Sequence, residues 1–248
     1  MKPILITVSY DGTLFNGWQS QKKEGIRTIQ ETLEDAFSRL FGVYTEVLGA
    51  SRTDTGVHAL GQRALIKTES SIPTSHISYA INSLLPEDVR VVDAVEVPCD
   101  FHPRYNVIKK TYEYKILNSR YKNPVLRNYT ECVYEKLDII KMKEALKFFL
   151  GEHDFSAFRA TGSGVKGSIR TIYEASLEKE GDIISLKITG NGFLYNMVRI
   201  MAGTLINVGK GKIEPFSVKD ILESKDRKKA GKTAGPQGLI LLSISYNI

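Results

Sequence analysis

The chain has 248 residues, 42% of them hydrophobic and 25% charged, enough apolar content for a core and too mixed in charge for a disordered polymer. Lysine and arginine outnumber aspartate and glutamate 34 to 28, a net charge of +6 that leans toward a polyanionic partner. Two distant cysteines, Cys99 and Cys132, and four scattered histidines, His58, His76, His102 and His153, exclude a disulfide framework and show no metal-ligand spacing.

From the N-terminus, Ile4 to Tyr10 is predicted as a strand that stops at the turn signal Asp11-Gly12. The opening residues are too short and too polar for a secretory h-region, and no apolar run reaches a membrane span, so a soluble, cytoplasmic protein is expected. After a polar loop through Trp18, Thr28-Ile29-Gln30-Glu31 forms a capping box. The helix it opens has Ile29, Leu33, Ala36, Phe37 and Leu40 on one face and ends at Gly42. Strands from Tyr44 to Ala50 and from Gly61 to Thr68 bracket the loop Ser51-Arg52-Thr53-Asp54-Thr55-Gly56-Val57-His58. Pro73 opens a second helix with Ile77, Ala80, Ile81 and Leu84, and Val89 to Val97 is a strand, which completes the order β-α-β-β-α-β.

The second half is predicted to repeat that order. Lys110 to Leu117 is a strand, Leu137 to Leu150 a helix, and Arg170 to Glu178 with Ile183 to Thr189 a hairpin around Glu180-Gly181-Asp182. Phe193 to Val208 is a helix, Val218 to Leu222 a short one, and Leu239 to Tyr246 the last strand. The expected fold is α+β: two ferredoxin-like, RRM-like units (βαββαβ), residues 1–105 and 106–248, side by side with a central mixed or antiparallel sheet and an active-site cleft. The first copy has an acidic loop between its second and third strands and the second copy only a hairpin turn, which argues for one active site per chain.

Asp54 is the single carboxylate of its loop, two residues from Arg52. An arginine within a few ångströms lowers a carboxylate pKa by roughly 1–3 units. Thr-Asp-Thr-Gly is equally good turn chemistry, so the loop alone leaves a structural role open. Tyr112 and Tyr114 share one strand face, which alone reads as a core stripe. Arg199 falls off the Met197 and Met201 face of its helix, where a surface arginine is the ordinary outcome. Lys22-Lys23, Lys166, Arg170, Lys210, Lys212 and the run from Lys225 to Lys229 are basic clusters, some of which would contact phosphate in an RNA-binding protein.

The loop Ser51 to His58 resembles the catalytic loop of the TruA family of tRNA pseudouridine synthases, usually Gly-Arg-Thr-Asp-Ala-Gly-Val-His, with small-residue departures at Ser51 and Thr55. Similar segments follow in the family's order, from Tyr10-Asp11-Gly12 through Phe101 to Tyr105, Lys110 to Tyr114, His153 to Phe158 and Gly190 to Arg199, to Gly235-Pro236-Gln237-Gly238-Leu239. The resemblance implies the pseudouridine synthase fold and conversion of uridines 38, 39 and 40 of the tRNA anticodon stem-loop to pseudouridine. It implies no cofactor and no metal, and a homodimer in which one tRNA touches both subunits. Residue by residue, Asp54 becomes the catalytic carboxylate, as nucleophile or base, and Arg199 its ion-pair partner. Tyr112 packs on the uracil and is a candidate to take the C5 proton, Leu239 lines the uridine pocket, and Arg52 is a candidate to occupy the space of the displaced base.

The main rival is a non-catalytic RNA-binding protein of two RRM-like units. It accounts for fold and charge but not for Asp54 with Arg52 and Arg199, and the third strands lack the aromatic run on which such readers stack bases. A hydrolase acting on a nucleotide or sugar would want a second carboxylate or a metal constellation, and the chain shows neither.

Overall fold

A computed structural model describes residues 1–162 and 167–247; Lys166, one of the basic residues singled out above, lies outside them. In chain order the first elements are β1 (Lys2–Tyr10), α1 (Ile29–Phe41), β2 (Leu48–Gly49), β3 (His58–Thr68), α2 (Thr74–Asn82) and β4 (Val89–Glu96). Then come β5 (Val107–Asn118), β6 (Glu131–Val133), α3 (Ile139–Leu146), β7 (Gly151–Asp154), β8 (Ile169–Glu180), β9 (Ile183–Gly190), α4 (Met197–Gly209), α5 (Ser217–Ser224) and β10 (Leu239–Tyr246). The chain divides into two compact units, Met1–Ile108 with Ile240–Ile248, and Lys109–Leu239.

In the first unit β1 is antiparallel to both β3 and β4, with Ile4↔Ile66 on one side and Leu5↔Val95 on the other. β10 joins β3 in parallel at Ile240↔His58 and Leu241↔Ala59, so this sheet is mixed. Ile4, Leu5 and Ile6 are at most 1% exposed, which requires cover on both faces of the strand. Leu5 and Leu65 face a cluster with Val97 and Phe101, against which Leu48, Val95 and Tyr246 pack.

α1 starts at the predicted cap, where Thr28 Oγ1 accepts the Glu31 amide at 3.3 Å. The carboxylate of Glu31 does not complete a capping box through the Thr28 amide. Its Oε1 accepts the Ser20 hydroxyl at 2.7 Å and the Gln21 and Lys22 amides at 3.1 and 2.9 Å, so the first helical turn anchors the preceding loop. Side chains of the same helix shorten the strand expected from Tyr44 to Ala50. The Thr45 amide donates to Ser38 Oγ and the Val47 amide to Glu34 Oε1, which takes both groups out of a ladder and leaves only Leu48–Gly49 paired, with β3. β3 itself begins at His58, three residues before the predicted start.

In the second unit β5, β9, β8 and β7 form an antiparallel series in that order, and β6 lies parallel to β5. The helix expected to start at Phe193 starts at Met197. Asn196 immediately before it holds φ 59, a left-handed conformation that cannot continue a right-handed helix. The predicted helix from Leu137 to Leu150 is shorter, Asp138 capping α3 through the Ile140 and Lys141 amides and a 3-10 turn at Lys147–Phe149 closing it. α4 is buried on almost every face. A Cβ at Gly203 would stand 1.9 Å from the Lys232 carbonyl oxygen, so the segment before β10 lies directly on this helix.

Candidate active site

The loop that carries Asp54 is held by backbone contacts with the turn after β1. The Trp18 amide donates to the Thr53 carbonyl at 3.0 Å, and the Gly56 amide donates to the Phe15 carbonyl at 3.2 Å. Tyr10 Oη and Thr53 Oγ1 hydrogen-bond at 2.8 Å. The two segments approach so closely that side chains are excluded between them. A Cβ at Gly12 would lie 2.0 Å from the Val57 carbonyl oxygen, and one at Gly17, whose φ is +87°, would lie 2.6 Å from the Thr53 carbonyl oxygen. Within the loop the Val57 amide donates to the Asp54 carbonyl at 3.1 Å, and Gly56 takes φ 75, the turn geometry that the Thr-Gly pair signalled.

The far side of the loop rests on Gln62, which is fully buried. Its Oε1 accepts the Ser51 amide at 3.2 Å and its Nε2 donates to the Ser51 carbonyl at 2.7 Å, the paired bonds a neighbouring strand would supply. His58 Nδ1 accepts the Gly12 amide at 3.0 Å, which puts the proton of the neutral ring on Nε2 and ties the start of β3 to the turn after β1. The side chain of Asp54 is half-buried, between buried Thr53 and exposed Thr55. Arg52 is exposed and forms no ion pair among the described residues. Its charge bears on Arg104, whose guanidinium is pushed below its ordinary pKa by burial and then by Arg52, and whose Nε donates to the Gly49 carbonyl at 2.9 Å. Arg104 is thus anchored beside the acidic loop, and Arg52 stands on it.

Tyr112, Arg199 and Leu239 belong to the second unit. Tyr112, on β5, is 7% exposed and meets Phe193 edge to face at a centroid distance of 5.1 Å. Arg199, one turn into α4, is half-buried and not the surface arginine that helical spacing alone suggested. Its Nε donates to the Ala234 carbonyl at 2.8 Å and an Nη to Asn196 Oδ1 at 2.8 Å, while the Ala234 amide donates back to the Arg199 carbonyl at 3.1 Å. The left-handed Asn196 therefore both starts the helix and orients its arginine.

Leu239, 6% exposed, follows a 3-10 turn at Pro236–Gly238. That turn is tied down by Tyr114 Oη donating to the Gly235 carbonyl at 2.8 Å and by Gln237 Nε2 donating to Glu131 Oε2 at 2.9 Å. Burial, and then the Glu131 carboxylate, push the Tyr114 phenol well above its usual pKa, so it stays a donor. Within this unit, Arg199 and Tyr114 fix the start of the 234–238 segment at Ala234 and Gly235, and Glu131 holds it farther along at Gln237.

Gln62, Gly12, Gly17, Arg104, Asn196 and Glu131 were not predicted as site residues. Gly12 had shown only as half of a turn signal, and Gln62 as an amide between the apolar pairs Ala59-Leu60 and Ala64-Leu65 of a strand, where a buried polar group needs built-in partners. Gly12→Ala is expected to lower stability by about 1–3 kcal/mol, since the clash is with backbone and no rotamer relieves it. Turnover should fall in parallel, read by urea unfolding beside an activity assay. Tyr114→Phe is expected to cost about 1–3 kcal/mol by leaving the Gly235 carbonyl without its donor. An unchanged urea midpoint would show that the bond carries no weight.

A family profile described as tRNA pseudouridine synthase matches residues 6–106 and 145–247. A protein named tRNA pseudouridine synthase A from Thermoanaerobacter sp. (strain X514) is 50% identical over 246 residues, 99% of this chain and 100% of its own length. Proteins of the same name from Acetivibrio thermocellus and Ruminiclostridium cellulolyticum are each 48% identical, over 99% of this chain and 100% of theirs.

Proposed function

This chain belongs to the tRNA pseudouridine synthase family, and from that premise we propose that Asp54 is the carboxylate with which it isomerises uridine to pseudouridine in the tRNA anticodon stem-loop, at positions 38, 39 and 40. The enzyme is an isomerase. The N1–C1′ bond of the uridine breaks, the uracil turns without leaving, and a C5–C1′ bond forms. C5 gives up its proton and N1 ends protonated, so no water is consumed. One carboxylate suits such a reaction, because no leaving oxygen needs an acid and no water needs a base. Asp54 acts at C1′ as nucleophile or base.

The observation that carries the assignment of Asp54 is the loop that presents it. The half-buried carboxylate sits in a turn bonded on one side to the Phe15 to Trp18 backbone and on the other to Gln62, and such a fixed group needs little reordering to react. Tyr112 packs on the uracil, Arg199 is the cationic partner of the carboxylate, Leu239 lines the uridine pocket, and Arg52 occupies the space the base leaves. Residue-for-residue agreement with the family's motifs supports these roles. The ties of Arg199 to Ala234 and Asn196 add to it, since they preset its guanidinium. Arg52 and Arg104 add positive charge at the loop, suited to a phosphate backbone. The enzyme works in the cytoplasm as a homodimer that receives one tRNA across both subunits.

Incubation with unmodified tRNA carrying 5-tritiated uridine tests the reading. Tritium release is expected with the nucleobase retained in the tRNA. Free uracil would mean a hydrolase, and binding without release a non-catalytic RNA reader.

A further inference from the structure

Between the end of β5 at Asn118 and the start of β6 at Glu131 the chain carries three cations, Arg120, Lys122 and Arg127, and no carboxylate. All three are exposed. Tyr121 between the first two is 80% exposed, and Val125 is 78% exposed. An isolated exposed tyrosine is ordinary; a ring bracketed in sequence by cations, just before a bonded series of turns, is less so. Asn123 Oδ1 accepts the Val125 amide at 2.9 Å and the Asn123 carbonyl accepts the Leu126 amide at 3.1 Å. The Leu126 carbonyl then accepts both the Tyr129 amide and the Thr130 hydroxyl at 2.9 Å. Arg127 folds back to donate to the Pro124 carbonyl.

A flat π face between positive charges matches an unstacked base between two phosphates. A second copy of the same surface is a poor occupant, because a two-fold contact would set one patch of three cations and no carboxylate against another of the same sign. Asn118 stands six residues beyond Tyr112 on the same strand, roughly 20 Å at extended-chain spacing, so this surface is separate from the residue assigned to the target uracil.

We propose that residues 119–130 form a second contact for the tRNA substrate, Tyr121 stacking on a base and Arg120, Lys122 and Arg127 lying on flanking phosphates. The proposal rests on the reading of the chain as a tRNA-modifying enzyme and extends it to how the substrate is held. It leaves the chemical step to the residues already assigned.

The test measures equilibrium binding and turnover of unmodified full-length tRNA by the parent and the variants. Tyr121→Ala is expected to raise Kd and KM about tenfold with kcat at saturation unchanged, and Tyr121→Trp to restore both. Replacing Arg120, Lys122 and Arg127 together by alanine is expected to flatten the slope of log affinity against log salt by about 2 to 3. Parental Kd and salt slope in both variants would overturn the proposal. So would weaker binding accompanied by a halved mass in sedimentation, which would make the occupant a second copy of the chain. Affinity is read independently of turnover, so a parent that binds tRNA and forms no pseudouridine would sink the functional reading, and Kd alone would then decide the surface.

Discussion

Asp54→Asn is expected to abolish pseudouridine formation, by about 10⁴-fold or more, while tRNA affinity stays within about tenfold. Asparagine has the same shape and preserves the backbone bonds that present the side chain, from Trp18 to Thr53, from Gly56 to Phe15 and from Val57 to the residue 54 carbonyl. It removes the negative oxygen that acts as nucleophile at C1′ or as base. That group acts in the transition state, so its loss belongs in kcat and not in ground-state binding. Stability is read beside turnover, since the substitution leaves in place the backbone bonds and the Gln62 pair that hold the loop. Tritium release, filter binding and urea unfolding on one preparation separate the three quantities. Retained turnover with lost affinity would remove Asp54 from the chemistry.

Arg199→Ala is expected to lower kcat by about 10²–10³, the usual effect of removing one preorganised donor from a reacting centre. It also leaves the Ala234 carbonyl and Asn196 Oδ1 without the donors they have in the native protein, at about 1–3 kcal/mol of stability for each buried group. Arg199→Lys should rescue little. A single ammonium cannot hold Ala234 and Asn196 in fixed directions and still present a fork to a carboxylate. The diagnostic measurement is the double variant with Asp54→Asn. If Arg199 acts through the carboxylate, its removal in that background adds little to the loss in kcat, whereas an independent role adds its full factor. Full parental rate in Arg199→Ala at a temperature where it stays folded would take this residue out of the site.

Much of the architecture is local enough to be legible in the chain. The last strand, Leu239–Tyr246, was predicted to the residue, and the cap at Thr28 and the hairpin around Gly181 also stand where the pattern put them. β2 shrank to Leu48–Gly49 because side chains of α1 took the Thr45 and Val47 amides. α4 lost its predicted first turn because Asn196 adopts a left-handed conformation, and β6 and β7 are three- and four-residue pairings too short to leave a periodic signal. The first change was decided by side chains elsewhere in the chain, the second at Asn196 itself.

The sequence by itself determined which chemical groups the protein has to work with: a lone aspartate in a glycine-ended loop, the Tyr112 phenol, the Arg199 guanidinium, and an order of motifs that matches the tRNA pseudouridine synthase family. What the tertiary structure alone decided is how those groups are held. Gln62 stands in for a strand edge under Ser51, Gly12 and Gly17 let two backbones meet, and the segment before β10 lies on α4 and takes the Arg199 guanidinium through Ala234. Periodicity and turn chemistry restrict the dihedrals of neighbours along the chain. A hydrogen bond between residue 199 and residue 234 depends on a close approach that packing sets, and no local pattern encodes it.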